Sequence, residues 1–190
     1  MLRWLLRRRV AAFERRWDCE AGELRDLIDA DAEAAAAFGM AQAIGRYRKD
    51  APAAVRCAAG LIAVMAEDCE PSAQLAVARA ERDGVDPAVL RAVVARDYLA
   101  MPEDVVLAAR FAEATLRHAP EVHDLRDELE RKFGRRGLVS IVFAIVSARI
   151  DPTLKYALGR GKACARLTVG GQTQAPGRES RPSLRELAAG

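Results

Sequence analysis

Apolar positions recur along this chain at spacings of three and four. Leu2, Leu6, Val10, Phe13 and Trp17 fall on one helical face, with arginines over much of the remainder. Leu24, Leu27 and Ile28 predict a short second helix, and Asp31 is a good N-cap for a third over 32–46. Asp50-Ala-Pro opens a helical segment that runs to about Glu67. Pro71 suits the first turn of the next helix, where its missing N–H is not needed; that helix runs to Arg82, with Gly84 near its end. Asp86-Pro87 starts a helix over 87–97. Pro102, followed by two acids that suit the positive end of a helix dipole, starts 102–118. A helix over 120–133 stops at Gly134. Residues 137–149 are apolar nearly all round, which predicts a central buried helix, and Asp151-Pro152 opens a last short one to Leu158.

No stretch sustains the period-two alternation of a strand, although ARLTVGG at 165–171 reads as a short extended piece. From Gly170 onward, GGQTQAPGRESRPS is rich in Gly, Pro, Ser and Gln and reads as a disordered tail. The expected fold is all-α. It comprises a helical extension over 1–50 with an amphipathic first helix, a helical domain over 51–160, and a basic flexible tail over 161–190.

Composition adds an expectation about assembly. The 190 residues suffice for a real core, and with 51% hydrophobic and 30% charged residues the bulk is expected to be globular. Aromatics are only 5% and alanine is abundant. Small side chains allow close helix contacts but bury little area each, so such a chain gains from burying further surface in a homo-oligomer.

The net charge of +3 hides an asymmetry. Residues 1–17 carry six arginines against Glu14, and 160–190 carry five arginines and a lysine against two glutamates, which leaves an acidic middle. The basic ends are expected to pack on this acidic body; a weak membrane-surface contact through residues 1–17 is the alternative. Nucleic acid is not an expected partner, because no recognition motif or aromatic stacking platform accompanies the charge. The arginine-broken start does not form a signal peptide, and GLVSIVFAIVSA at 137–148 is too short to span a bilayer. Cys19, Cys57, Cys69 and Cys164 are too scattered for a secreted disulfide scaffold, so a cytoplasmic location is expected.

Candidate chemistry centres on AEDCEPSAQLAVARAERDGVD, residues 66–86. Cys69 stands just before a helix whose positive end favours a thiolate, while Glu67, Asp68 and Glu70 oppose it. Ser72 is three residues on, where a redox pair carries its second thiol. His118 and His123, five positions apart with Pro120 between them, do not share a metal-binding face. No metal or cofactor is expected.

Residues from about 52 to 160 resemble the carboxymuconolactone decarboxylase and alkylhydroperoxidase D superfamily. The likeness rests on AEDC at a helix end, EPSAQLAVARAERDGVD, DPAVLRAVV, PEDVVLAARFAEATL, the apolar LVSIVFAIVSARI and DPTLKYALG, in that order. The resemblance implies a helical bundle assembled as trimers or hexamers. It also implies a Cys-x-x-Cys-x-x-x-His site with a glutamate twelve residues before the first cysteine. Cys69 matches that first cysteine, whereas Ser72, Ala76 and Cys57 stand at the second cysteine, the histidine and the glutamate. Serine cannot form a disulfide and alanine cannot move a proton. The expected protein is therefore a divergent member with lost or weakened thiol peroxidase chemistry, serving as an oligomeric binding or scaffold protein. The alternative is a one-cysteine redox enzyme using Cys69 with Ser72, with Glu67 or Glu70 as a relocated acid–base group and a thiol reductant. Acid–base chemistry on a small lactone, the superfamily's other branch, ranks last for want of a histidine near the site.

Overall fold

The computed structural model describes residues 1–177. Within them, α1 (Leu2–Trp17), α2 (Gly22–Ala30) and α3 (Ala32–Gln42) form an N-terminal group, followed by a 3₁₀ turn at Ala43–Arg46. Then come α4 (Ala53–Ala66), α5 (Glu70–Arg82), α6 (Pro87–Ala95), α7 (Glu103–Arg117), α8 (Val122–Ala157) and a hairpin of β1 (Leu167–Val169) with β2 (Gln172–Gln174). The protein is thus mostly α-helical, as the periodicity implies. Asp31 caps α3 by accepting from the Glu33 amide at 2.8 Å, and Asp86 caps α6 through Ala88 at 2.7 Å.

The core is organised around α4, which packs chiefly on α8 and α7 and then on α5. Its sequence AAVRCAAGLIAVMA is apolar almost all round, and Leu61, Ile62, Ala63 and Val64 are fully buried. Small residues bring α8 close: a Cβ on Gly60 would lie 3.5 Å from the Ala144 carbonyl oxygen. The apolar run 137–149, expected at the centre, lies to one side of it. That stretch buries Leu138, Ile141 and Ile145 but leaves Val146 exposed and Val142 and Phe143 half-covered. Two helices of similar apolarity compete for the centre, and the alanine-rich one allows the closest approach from several sides.

α8 differs from expectation in a second way. Gly134 does break the helical path, with φ 68° and ψ 172°, a conformation open to glycine. The chain then runs on without interruption through Pro152 to Ala157. Proline here cannot donate to the Ala148 carbonyl; beside it Thr153 Oγ1 donates to the Arg149 carbonyl at 2.7 Å, and Pro152 itself is buried. By length and composition α8 is apolar enough to cross a membrane. Here it packs on α4 and α7 and carries Arg149, Asp151 and Lys155 in its last turns.

A small separate cluster joins the N-terminal helices: Val10, Ala21 and Ile28 are buried, with Leu6, Phe13, Leu24 and Ala35 against them. Most of the predicted α1 stripe therefore packs inward. Trp17 lies under the guanidinium of Arg82, 4.4 Å from the ring centroid, and of Arg79 at 5.6 Å, which fixes α1 to α5.

The reading of 161–190 as a flexible tail requires correction over its first part. Residues 161–177 pack on the bundle, and the Gly170–Gly171 turn, both at positive φ, lets Gln172–Gln174 pair back on Leu167–Val169. Leu167 and Val169 are fully buried in the main core. Gln74 grips the Thr168 backbone from both sides, donating to its carbonyl and accepting from its amide, each at 2.9 Å. Turn glycines and polar β2 residues give the segment a tail-like composition, but alternate β1 residues face the core. The remainder of that expected tail, 178–190, lies outside the described residues.

Candidate functional site

Cys69 occupies the entrance of α5, with Asp68 before it in the left-handed region at φ 51°. That sharp reversal turns the chain from α4 into α5 and directs Cys69 inward, where it has no solvent exposure. Ser72, in the first turn of α5, is also buried, and its Oγ lies 3.2 Å from Cys69 Sγ. The two residues singled out by the sequence pattern are thus in direct contact.

Four further residues complete the arrangement, none of them singled out by the sequence pattern. Ser72 Oγ donates to Asp151 Oδ2 at 2.8 Å; Lys155 Nζ donates to the same carboxylate oxygen at 2.6 Å and to Ser72 Oγ at 3.3 Å. Glu23, from the first turn of α2, places Oε1 3.7 Å from Lys155 Nζ. Gln42 at the end of α3 reaches Asp151 Oδ1 at 3.5 Å. Because α8 continues past Pro152, Asp151 and Lys155 sit four residues apart on one helical face and meet as an ion pair. DPTLK in an apolar helix was the available signal. A helix restarting at Pro152 hid it, since Asp151 then reads as a cap rather than as a partner of Lys155.

The protons follow from the connectivity. Ser72 has a single hydroxyl hydrogen, and Asp151 receives it. With that hydrogen committed, the Cys69 S–H is the donor in the sulfur–oxygen contact. Ser72 therefore accepts from both Cys69 and Lys155.

Burial alone would push the Lys155 ammonium's pKa down, but the charge and hydrogen bond of Asp151, with Glu23, outweigh it and hold the value above the usual lysine range. Glu23 moves upward because burial disfavours its charge more than Lys155 favours it. Folded protein thus holds the Glu23 proton to higher pH than unfolded chain, and stability from this group falls as pH rises from about 4.5 through the raised value. Glu23→Gln is expected to remove that decline. Urea denaturation across pH should show the wild type losing ground to the variant, with a slope no steeper than about 1.4 kcal/mol per pH unit. Parallel curves would mean that Glu23 titrates alike in both states.

Glu67 does not join this group. Its carboxylate pairs with Arg149. Glu70 pairs with Lys162 at 3.1 Å, and its amide donates to the Lys162 carbonyl at 2.9 Å. Lys162 and Ala165 contacts hold the Glu70 carboxyl below its usual range, chiefly through the lysine hydrogen bond. Both carboxylates are thus engaged in ion pairs.

The last turn of α8 and the segment after it close the turn from outside. Tyr156 OH donates to the Asp68 carbonyl at 2.7 Å, and the Cys164 amide donates to Asp68 Oδ1 at 3.0 Å. Arg160 forks onto Asp26 of α2. Cys164 is buried under this cover, and burial, with Glu70 and Asp68, pushes its thiol up to about 11. Cys57 packs against the core, and burial raises it likewise to about 11. All four cysteines are free. Cys19 and Cys164 are not paired with each other.

A surface cavity of about 400 Å³ lies elsewhere, between α7 and the start of α8, lined by Tyr98, Arg110, Glu113, Arg117, Glu121, Asp124 and Leu125. None of the Cys69 network lines it. His118 ends α7 in the left-handed region at φ 57° and His123 Nδ1 is 3.5 Å from Arg126, so the two histidines serve different local contacts. No cluster of three or more potential metal ligands occurs among the described residues.

Comparison of the chain with protein-family models, with curated proteins and with solved structures gives no match.

Proposed function

We propose that this is a non-catalytic helical protein of alkylhydroperoxidase D-like descent. In this reading the former thiol site has become a structural polar junction, and the bundle serves in homo-oligomeric assembly and binding. The observation that carries this is the closed state of Cys69: no exposure, its S–H used on Ser72, and Ser72 committed to an Asp151–Lys155 ion pair. A peroxidatic sulfur has to meet peroxide as a thiolate, and a cycle needs a second thiol or an outside reductant to clear the sulfenic acid. Here the sulfur lies under the 156–165 segment, and Ser72 occupies the place of a partner thiol. Assembly is supported by the partly uncovered apolar flank of α8 at Val142, Phe143 and Val146.

One observation favours a second reading, a monothiol redox site. Lys155 supplies a cation beside Ser72, and Ser72 and Asp151 form a proton path away from Cys69. In that reading Cys69 Sγ attacks a peroxide oxygen, the S–O bond forms as the O–O bond breaks, and the thiol's proton ends on the departing alkoxide; two equivalents of an external thiol then reduce the sulfenic acid, releasing water and their disulfide.

Peroxide consumption by purified full-length protein with a dithiol donor separates the two. The expected rate equals that of Cys69→Ala. Repeated turnover that disappears in Cys69→Ala would sink the non-catalytic proposal and establish the second.

A further inference from the structure

We propose that the first turns of α1 dock on an anionic membrane surface. Inward packing of α1 starts at Leu6 and Val10; the residues before them are left in water. Trp4 is 60% exposed, Leu5 49% and Leu2 46%, and Met1 is fully exposed. Four adjoining large apolar residues in solvent form a patch, unlike singly scattered surface leucines.

The charge around the patch selects the partner. Arg3, Arg7, Arg8 and Arg9 surround it, and no acidic residue precedes Glu14. Arg7 pairs with Asp29 at an exposed site. Arg3, Arg8 and Arg9 form no ion pair among the described residues. Arg8 lies over the Trp4 ring at 4.7 Å from its centroid, which keeps a guanidinium at the level of the indole. Tryptophan and arginine together suit the headgroup region: the ring partitions to the interface while the guanidinium meets lipid phosphate and carboxylate. Leucine at two positions and methionine enter the acyl boundary. The rest of the apolar stripe is occupied by α2 and α3, so the contact is made by the tip of the helix and not by its length.

Other occupants fit less well. A second copy pairing symmetrically through this patch would set arginines against arginines. Nucleic acid would satisfy the arginines but leave Leu2 and Leu5 in water, and Trp4 already carries Arg8 on its face.

The test is co-sedimentation of the full chain with vesicles of phosphatidylcholine alone or mixed with phosphatidylserine. Binding is expected only to the mixed vesicles and is expected to weaken with added salt. Arg8→Gln with Arg9→Gln should lower the partition about thirtyfold, from about fivefold per arginine near an anionic surface. Trp4→Ala with Leu5→Ala should lower it as well, and circular dichroism should show every variant folded, since all four positions are exposed. Absent or equal binding to the two vesicle types overturns the proposal. So does concentration-dependent self-association abolished by the same variants, or retention of duplex oligonucleotide in place of vesicles.

Discussion

Lys155→Met is expected to destabilise the protein by about 3–5 kcal/mol, the cost of leaving buried charge without its partner. Lys155 is 5% exposed and is the cation shared by Asp151 at 2.6 Å and Glu23 at 3.7 Å. Methionine fills a similar volume, so the loss is electrostatic and not a cavity effect. Two carboxylates would then face each other's field, and Ser72 would lose a donor. The midpoint of urea denaturation should fall with the slope unchanged.

The pH dependence of this effect has a definite sign. Lys155 is held above the ordinary lysine range in the folded protein, so its contribution is complete below about 10.5 and is lost as pH rises through the raised value. The penalty of Lys155→Met should accordingly be full at neutral pH and shrink in strong alkali. Combining Lys155→Met with Glu23→Gln and Asp151→Asn should recover much of the lost stability, because the uncompensated charges leave together. A single variant within about 0.5 kcal/mol of wild type would mean that water reaches and solvates the two carboxylates.

Leu167→Ala has an expected cost of about 2–5 kcal/mol, the range for a fully buried leucine whose removal leaves a cavity. A residue in a flexible tail would give almost none. Leu167 is 0% exposed and belongs to the core cluster of α4–α8, although it follows the last helix by ten residues. Its strand is pinned to α5 through Gln74, and the paired β2 is held to α6 through Gln174, whose amide donates to the Arg91 carbonyl at 2.9 Å. The same anchoring extends to Gly177, which donates to the Val94 carbonyl at 2.7 Å. Thermal or urea unfolding of the full chain measures the effect, and Thr168→Ala, on the exposed side of the strand, is the control. Equal small effects at both positions would show that the hairpin does not stay docked in solution. Since the segment before it also covers Cys69, the comparison bears on the site as well as on the fold.

Much of the helical framework is legible in local signals. Asp31 and Asp86 cap where caps are expected, Pro71 stands in the first turn of α5, and Gly134 marks a break. Each signal acts within a few residues, so sequence alone can carry it. Pro152 misleads for the same reason: locally it opens a helix, but packing of the last α8 turns keeps the helix continuous through it. The hairpin misleads because two glycines and four polar residues outweigh Leu167 and Val169 in composition, while burial is decided by those two alone.

The candidate site divides in a similar way. Cys69 and Ser72 are three apart on a helix entrance, and their contact follows from helical spacing. Glu67 and Glu70 are as near in sequence, yet both are engaged in salt bridges to Arg149 and Lys162. Glu23 and Lys155 come together across 132 positions of chain. By itself the sequence determined which stretches are helical, which face of α1 is apolar, and that a cysteine and a serine share the start of α5. Tertiary structure alone decided that α4 holds the centre, that the segment after α8 packs on the turn bearing Cys69, and that Ser72 meets Asp151 and Lys155 with Glu23 beside the lysine. Helical propensity and caps are set by neighbours in the chain, whereas a buried ion pair exists only once distant helices have excluded water from between its charges.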